Sequence, residues 1–430
     1  MSKIIYLSII LSLLLLSCKD KKDPSSFYMP AEFEEQEAVW FGWTDDLSYD
    51  TVIANVISGL MPTVQIKIAV DTITLVASAK KVLASQSVDT TKISFYIMPG
   101  ERYWIRDHGV AFLVNDKGDL GAADFEWSLY GIEGWYQQKY DNNPDSIEKY
   151  MKKFFNKNTG RVDSLMAIAE KAQILKSNVV IEGGAIEVNG KGTLILCEAV
   201  ALQRNPGKSK SEIEEGFKKV LGVSNIIWMK EGLIDDAHIQ QIHFKKYVTM
   251  GTGGHTDEFV RFADANTILL AWVEESEIND HPFNKINFER MSENLRILEQ
   301  ATDQDGKPFK VVKIPLPDPI ERKIIVKEKL DSTDWINVTP RYFIQKDAPK
   351  VGDTLINVAA SSYLNYLVSN GVIILPTYTK QGSSTEKEKQ VGDIMKTVFS
   401  NRKQIWVECM PQNWEGGGIH CSTQQQPKRK

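Results

Sequence analysis

Two kinds of apolar run alternate along the chain. Compact stretches such as Thr193-Leu194-Ile195-Leu196-Cys197 and Thr267-Ile268-Leu269-Leu270-Ala271-Trp272 are rich in β-branched and bulky residues and predict strands. Longer stretches carry apolar residues three and four apart and predict helices. The strands fall at 66–70, 93–98, 110–114, 178–186, 193–197, 248–250, 259–262, 267–272, 310–314, 372–376 and 405–408, with another ending at Trp40-Phe41-Gly42-Trp43. The helices fall at 52–60, 77–87, 146–155, 162–171, 210–221, 284–301, 361–370 and 384–399. Asn189-Gly190-Lys191-Gly192 lies between two strands and predicts a hairpin turn. Ser209 or Ser211 is placed to cap the helix that follows. Repeated strand–helix–strand units of this kind predict one mixed α/β domain. The sequence shows no clean internal repeat and no low-complexity linker, and Pro315, Pro317 and Pro319 mark a rigid connection.

Composition adds little. A chain of 430 residues, 42% hydrophobic, suits one large domain or two medium ones. A net charge of −5 lacks the basic excess of a nucleic-acid footprint. The N-terminus says more. Met1-Ser2-Lys3 is a short basic stretch, and Ile4 to Leu16 carries no charge. That apolar run is too short to span a bilayer comfortably. Leu15-Leu16-Ser17-Cys18 resembles a bacterial lipobox. It implies a signal peptide over 1–17, a lipid on the Cys18 thiol, a tether over 18–27 and a folded domain over 28–427. Acyl chains would then hold that domain at the bacterial cell envelope. An ordinary signal peptide with an incidental cysteine is the alternative.

Removing Cys18 from the tally leaves Cys197, Cys409 and Cys421. An odd number in an exported protein leaves at least one free thiol. Cys197 lies in a strand-like apolar run, so burial is expected, and a Cys197–Cys409 disulfide stays open. Cys421 is the candidate free thiol. It follows Gly416-Gly417-Gly418-Ile419-His420, where three glycines let the backbone approach another body closely. A buried structural thiol is the competing reading.

Three further clusters hold residues that do chemistry. Trp104-Ile105-Arg106-Asp107-His108-Gly109 combines a ring able to stack on a planar cation with a carboxylate able to accept two hydrogen bonds from a guanidinium. A salt-bridged surface turn explains it equally well. Ile181-Glu182-Gly183-Gly184 sets a carboxylate at a strand end, where a solvated loop glutamate is the alternative. Gly251-Thr252-Gly253-Gly254-His255-Thr256-Asp257-Glu258 would, if extended, put His255 and Asp257 on one face. Zinc would call for another histidine or cysteine nearby. His108, His238, His243 and His281 read as structural or surface residues.

Together these motifs resemble, in order, the agmatine deiminase and Porphyromonas-type peptidylarginine deiminase family. The resemblance rests on Met29-Pro30-Ala31-Glu32 through Trp40, Trp104 through Gly109, Glu182-Gly183-Gly184, Arg204-Asn205-Pro206 and Gly254 through Phe262. Ser362-Tyr363-Leu364-Asn365 with Asn370-Gly371, and Gly416 through Gln424, complete it. It implies the pentein fold, a single-domain, pseudo-five-fold α/β propeller of ββαβ units. It implies Cys421 as nucleophile, His255 as general acid/base, Asp107 and Asp257 as grips on the guanidinium, and Glu182, Trp104 and Gly418 as substrate-binding. The implied substrate is a small cationic guanidine, with no metal or organic cofactor, and a homo-oligomer stays open. Phe125-Glu126-Trp127-Ser128 departs from the family pattern, and Glu126 there would suit a distal amine such as that of agmatine. No arginine occurs between Asp107 and Lys139, which argues against a C-terminal peptidylarginine substrate.

Overall fold

The computed structural model describes residues 23, 25–100, 103–331, 334 and 336–430. Cys18 and the lipobox lie outside them. Among the described residues no helix is long and apolar enough to cross a membrane.

One pattern recurs five times: an antiparallel strand pair, a helical crossover, and a third strand parallel to the second. In the first unit Ala111–Val114 pairs with Leu120–Glu126, and Gln173–Val180 joins in parallel. The second comprises Glu187–Val188, Thr193–Cys197 and Asn225–Met229. The third comprises Val260–Phe262, Thr267–Trp272 and Lys310–Pro315. The fourth comprises Leu367–Ser369, Val372–Pro376 and Lys403–Val407. The fifth draws on both ends of the chain: Thr423–Pro427 runs antiparallel to Gln36–Gly42, which pairs in parallel with Gln65–Val70. This is the pentein arrangement expected above.

The central strands explain the sequence pattern. Thr193–Cys197, Thr267–Trp272 and Val372–Pro376 are buried at every position. A strand covered on both faces reads as a continuous apolar run rather than an alternating one. Most crossover helices bury part of their surface, as Lys210–Leu221 does with Ile213, Phe217, Val220 and Leu221, whereas Pro144–Phe154 in the first unit buries none. Lys210–Leu221 starts with a capping box, in which the Ser209 hydroxyl accepts from the Glu212 amide and the Glu212 carboxylate accepts from the Ser209 amide at 2.8 Å.

Three expectations are corrected. Residues 361–370 do not form a helix; a turn leads into the strand Leu367–Ser369. That segment is buried almost throughout, so its apolar positions could not reveal a helical period. The strand expected over 178–186 ends at Val180, and Gly183–Ala185 is a single 3₁₀ turn. Of a further sheet, made of Ile239–His243, Tyr247–Gly251, Thr354–Val358 and Glu321–Ile325 in that spatial order, only the second strand was expected, at 248–250. Its outer strands are polar and only partly buried, so their pattern is weak.

The five-unit architecture positions the site. A turn carrying a chemically distinctive residue leads into the first strand of each unit. Asp107 lies just before Ala111–Val114, Glu182 and Gly184 before Glu187–Val188, and Asp257 before Val260–Phe262. Asn365 precedes Leu367–Ser369, and Cys421 precedes Thr423–Pro427.

Candidate active site

Gly184 marks where three of these turns meet. A methyl group on its Cα would sit 2.6 Å from His255 Nδ1, 2.8 Å from Asp107 Oδ1 and 3.0 Å from Asp257 Oδ2. Only a residue without Cβ lets all three approach. The Gly184 amide donates to Asp107 Oδ1 at 3.0 Å, and the Tyr130 hydroxyl donates to Asp107 Oδ2 at 2.9 Å. His255 and Asp257 do not share a strand face. His255 immediately precedes the short helix Thr256–Phe259, which carries Asp257.

Asp236 sets the His255 backbone. Its carboxylate accepts from the amides of Gly254 and His255, both at 2.9 Å. The imidazole Nε2 lies 3.2 Å from Glu182 Oε2, and Nδ1 lies 3.6 Å from Asp107 Oδ1. Burial alone would lower the pKa of this histidine, but Asp107, Glu182 and Asp257 outweigh burial and raise it to about 9. Glu182 is fully enclosed, and Arg204 Nε reaches its two oxygens at 2.8 and 3.1 Å. Burial opposes ionisation of Glu182, yet Arg204 and His255 bring its pKa to about 2. Its oxygens are thus occupied by Arg204 and His255. Asp107 goes the other way: burial, with Asp257 and Glu182 nearby, raises it to about 6 against the pull of His255.

Cys421 Sγ lies 3.5 Å from Asp257 Oδ2 and 4.0 Å from Glu258 Oε1. Asn365 Nδ2 donates to the sulfur at 3.2 Å and to Glu258 Oε1 at 2.7 Å. The glycine run is shaped by its neighbours. Gly416 has φ of +84° and backs onto the Gly251 backbone, while Gly418 faces the Asn365 amide. Half-buried Trp104 lies against Gly417. Burial pushes the Cys421 thiol well above its ordinary pKa, and Asp257, Glu258 and Asp107 push it further. Within this cluster two buried polar atoms make no hydrogen bond: His255 Nδ1, whose contact with Asp107 is the 3.6 Å ion pair, and Asp257 Oδ1. A buried cluster of carboxylates around His255 and the Cys421 thiol would favour a cationic ligand over a neutral one. Asp257, Glu258 and Cys421 bring three metal-ligand atoms within 4.8 Å of one another, so a divalent ion and an organic cation would compete for the same oxygens.

Some expected residues are not brought together. Glu126 is exposed at the end of Leu120–Glu126 and lines a separate cleft with Lys176 and Lys208. From the same stretch Tyr130, not Glu126, reaches the site. Cys197 and Cys409 are both buried and unpaired by disulfide. Tyr130, Asn365, Asp236, Arg204 and His420 hold functional side chains in place and were not given roles from sequence. The His420 ring bridges Asp257 Oδ2 and Glu32 Oε1, each at 2.7 Å.

A model of the Porphyromonas-type peptidyl-arginine deiminase family matches residues 28–427. The chain belongs to that family. Among curated relatives in sequence, an agmatine deiminase of Pseudomonas aeruginosa is 29% identical over 406 residues, covering 93% of this chain and 95% of its own. A putative agmatine deiminase of Listeria monocytogenes is 27% identical, covering 96% of this chain and 99% of its own. Among solved structures, the agmatine deiminase of Enterococcus faecalis superposes with a TM-score of 0.71 at 24% identity, covering 94% of this chain and 96% of that one. A putative arginine deiminase of Porphyromonas gingivalis gives 0.65 at 21% identity, covering 94% and 99%. These superpositions support the pentein fold of this family member.

Proposed function

We propose that the protein hydrolyses the guanidino group of a small cation, agmatine first, to a ureido group and ammonia. The observation that carries this reading is the convergence of Cys421, His255, Asp107 and Asp257 in one buried, carboxylate-rich cluster. The curated agmatine deiminases that match most of the chain support the choice of substrate.

The arrangement of these residues supports a stepwise reading. Asp107 and Asp257 take the guanidinium nitrogens, and Trp104 flanks the planar group. The bound cation lowers the cost of a thiolate, so Cys421 gives its proton to solvent, where it ends on the released ammonia, and its sulfur forms a bond to the guanidine carbon as the C=N π pair moves onto nitrogen. Asn365 donates to the sulfur. His255, already protonated, gives its proton to the departing nitrogen, the C–N bond breaks, and ammonia leaves a thiouronium on Cys421. The neutral imidazole then takes a proton from water, hydroxide adds to the same carbon, and the C–S bond breaks to release the urea and restore the thiol. Glu182 holds His255 from its far side and stabilises the charged ring.

Purified protein lacking residues 1–18 should release ammonia from agmatine and form N-carbamoylputrescine. The same panel should include free arginine and arginine peptides. Turnover confined to peptides would replace agmatine as the substrate, and no ammonia from any guanidine would overturn the reading. The sequence also supports an envelope location through a lipid on Cys18. Membrane fractionation of the full chain and of Cys18→Ser checks it, the variant being expected in the soluble fraction.

A further inference from the structure

Glu32 belongs to none of the five entry turns, yet its carboxylate joins three of them. Oε1 accepts from Arg106 Nη1 at 2.8 Å and from His420 Nε2 at 2.7 Å, and Oε2 accepts from Arg261 Nη2 at 2.6 Å. Arg106 neighbours Asp107, Arg261 follows the helix bearing Asp257, and His420 neighbours Cys421. Arg261 extends the connection to the remaining two turns: its Nε donates to Glu187 Oε2 at 2.9 Å, and its Nη1 donates to the carbonyl of Leu364, beside Asn365, at 3.1 Å. The Arg106 amide donates to the Cys421 carbonyl at 3.2 Å.

The His420 ring is the part of this network nearest the chemistry. It is 1% exposed, and each of its nitrogens faces a carboxylate oxygen at 2.7 Å. A ring so placed satisfies both oxygens when it carries a hydrogen on each nitrogen. Its Nδ1 contact engages Asp257 Oδ2, the oxygen 3.5 Å from Cys421 Sγ, and leaves Asp257 Oδ1 without a partner. The orientation of Asp257 is therefore set from behind, with one oxygen anchored and the other left for a ligand.

We propose that Glu32 and His420 are positioning residues: Glu32 fixes the His420 ring, and His420 fixes the Asp257 carboxylate relative to the Cys421 thiol. The competing account is that Glu32 merely neutralises two buried arginines. The two differ in how shape-conserving variants behave. In His420→Asn the side-chain amide can keep a donor near the Nδ1 position, toward Asp257. In His420→Gln the amide reaches toward Glu32 and loses Asp257.

Only the turnover arm of this proposal rests on the deiminase reading, so Cys421 reactivity is measured separately. Full-length protein is alkylated with iodoacetamide across a pH series, and modification of the Cys421 peptide is followed by mass spectrometry alongside thermal melting. His420→Asn is expected to alkylate within about threefold of wild type, and His420→Gln about tenfold more slowly near pH 8, because Asp257 then loses the group that offsets its charge. Glu32→Gln should also slow alkylation and add little to His420→Gln, as expected for groups acting in series. In agmatine turnover, His420→Gln should lose more in kcat/KM than His420→Asn. Equal alkylation by the two His420 variants, or full additivity of Glu32→Gln with His420→Gln, overturns the proposal. The pair at His420 leaves both arginine ion pairs intact, so the comparison stands even if Glu32→Gln folds poorly. The expected alkylation pattern without turnover of any guanidine supports positioning and removes the deiminase reading instead.

Discussion

The Asn365 side chain donates to Cys421 Sγ at 3.2 Å while the same nitrogen donates to Glu258 Oε1 at 2.7 Å. Beside the carboxylates of Asp257 and Glu258, this amide is a neutral donor aimed at the sulfur. Burial and neighbouring anions hold Glu258 well above the usual carboxylate range. Asn365→Ala should therefore lower kcat by about a hundredfold, the scale seen when one preorganised donor is lost. Steady-state kinetics with a melting curve as control checks this, and an unchanged kcat would remove Asn365 from the chemistry.

Cys421→Ser should abolish turnover, by a factor of about ten thousand or more, because a hydroxyl is a far weaker nucleophile toward a guanidinium. Cys421→Ala should still bind agmatine, since Asp107 and Asp257 remain. Calorimetry on the alanine variant separates binding from catalysis.

Cation binding should generate the thiolate. In the free protein the thiol is held protonated by burial and by Asp257, Glu258 and Asp107. Adding guanidinium ion at sub-denaturing concentration should raise the 240 nm thiolate absorbance of wild type but not of Cys421→Ala. Equal spectra for the two proteins would mean that the carboxylates do not control the sulfur.

The pH profile of kcat/KM should be bell-shaped, because that parameter reports groups of the free enzyme. Activity should fall below about 6 as Asp107 takes a proton and above about 9 as His255 loses one. His255 also links pH to stability. Its folded-state pKa lies above the ordinary 6.5, so its contribution is complete below that value and disappears as pH rises through about 9. Denaturant titrations of wild type and His255→Ala across that window should converge at high pH.

Arg204→Ala should destabilise the fold by about 3–5 kcal/mol, because it strands the enclosed Glu182 carboxylate without its arginine. Urea unfolding measures this. Paired removal with Glu182→Gln should recover part of the loss.

The sequence revealed residues whose surroundings demand glycine. Cys421, His255 and Glu182 each lie beside glycines that let backbones meet, and Asp107 sits two residues from Gly109. Glu32 and Arg204 stood in quoted motifs without a role of their own, because an ion pair across the molecule leaves no local pattern. Asn365 was placed within a helix over 361–370, since a segment buried on every side has no visible period. The five-unit repeat escaped notice for a related reason. The first unit crosses over through three helices and the third through the single long helix Pro282–Gln300, so matching positions fall at unequal spacings.

The fifth unit ties closure of the fold to the site. Its first strand, Thr423–Pro427, comes from the end of the chain, and Cys421 enters with it. Removal of residues 421–427 takes away both Cys421 and the strand that seats beside Gln36–Gly42. Closure of the fifth unit and delivery of the proposed nucleophile are therefore one event, so any condition that frees this strand from Gln36–Gly42 also withdraws Cys421 from His255 and Asp257.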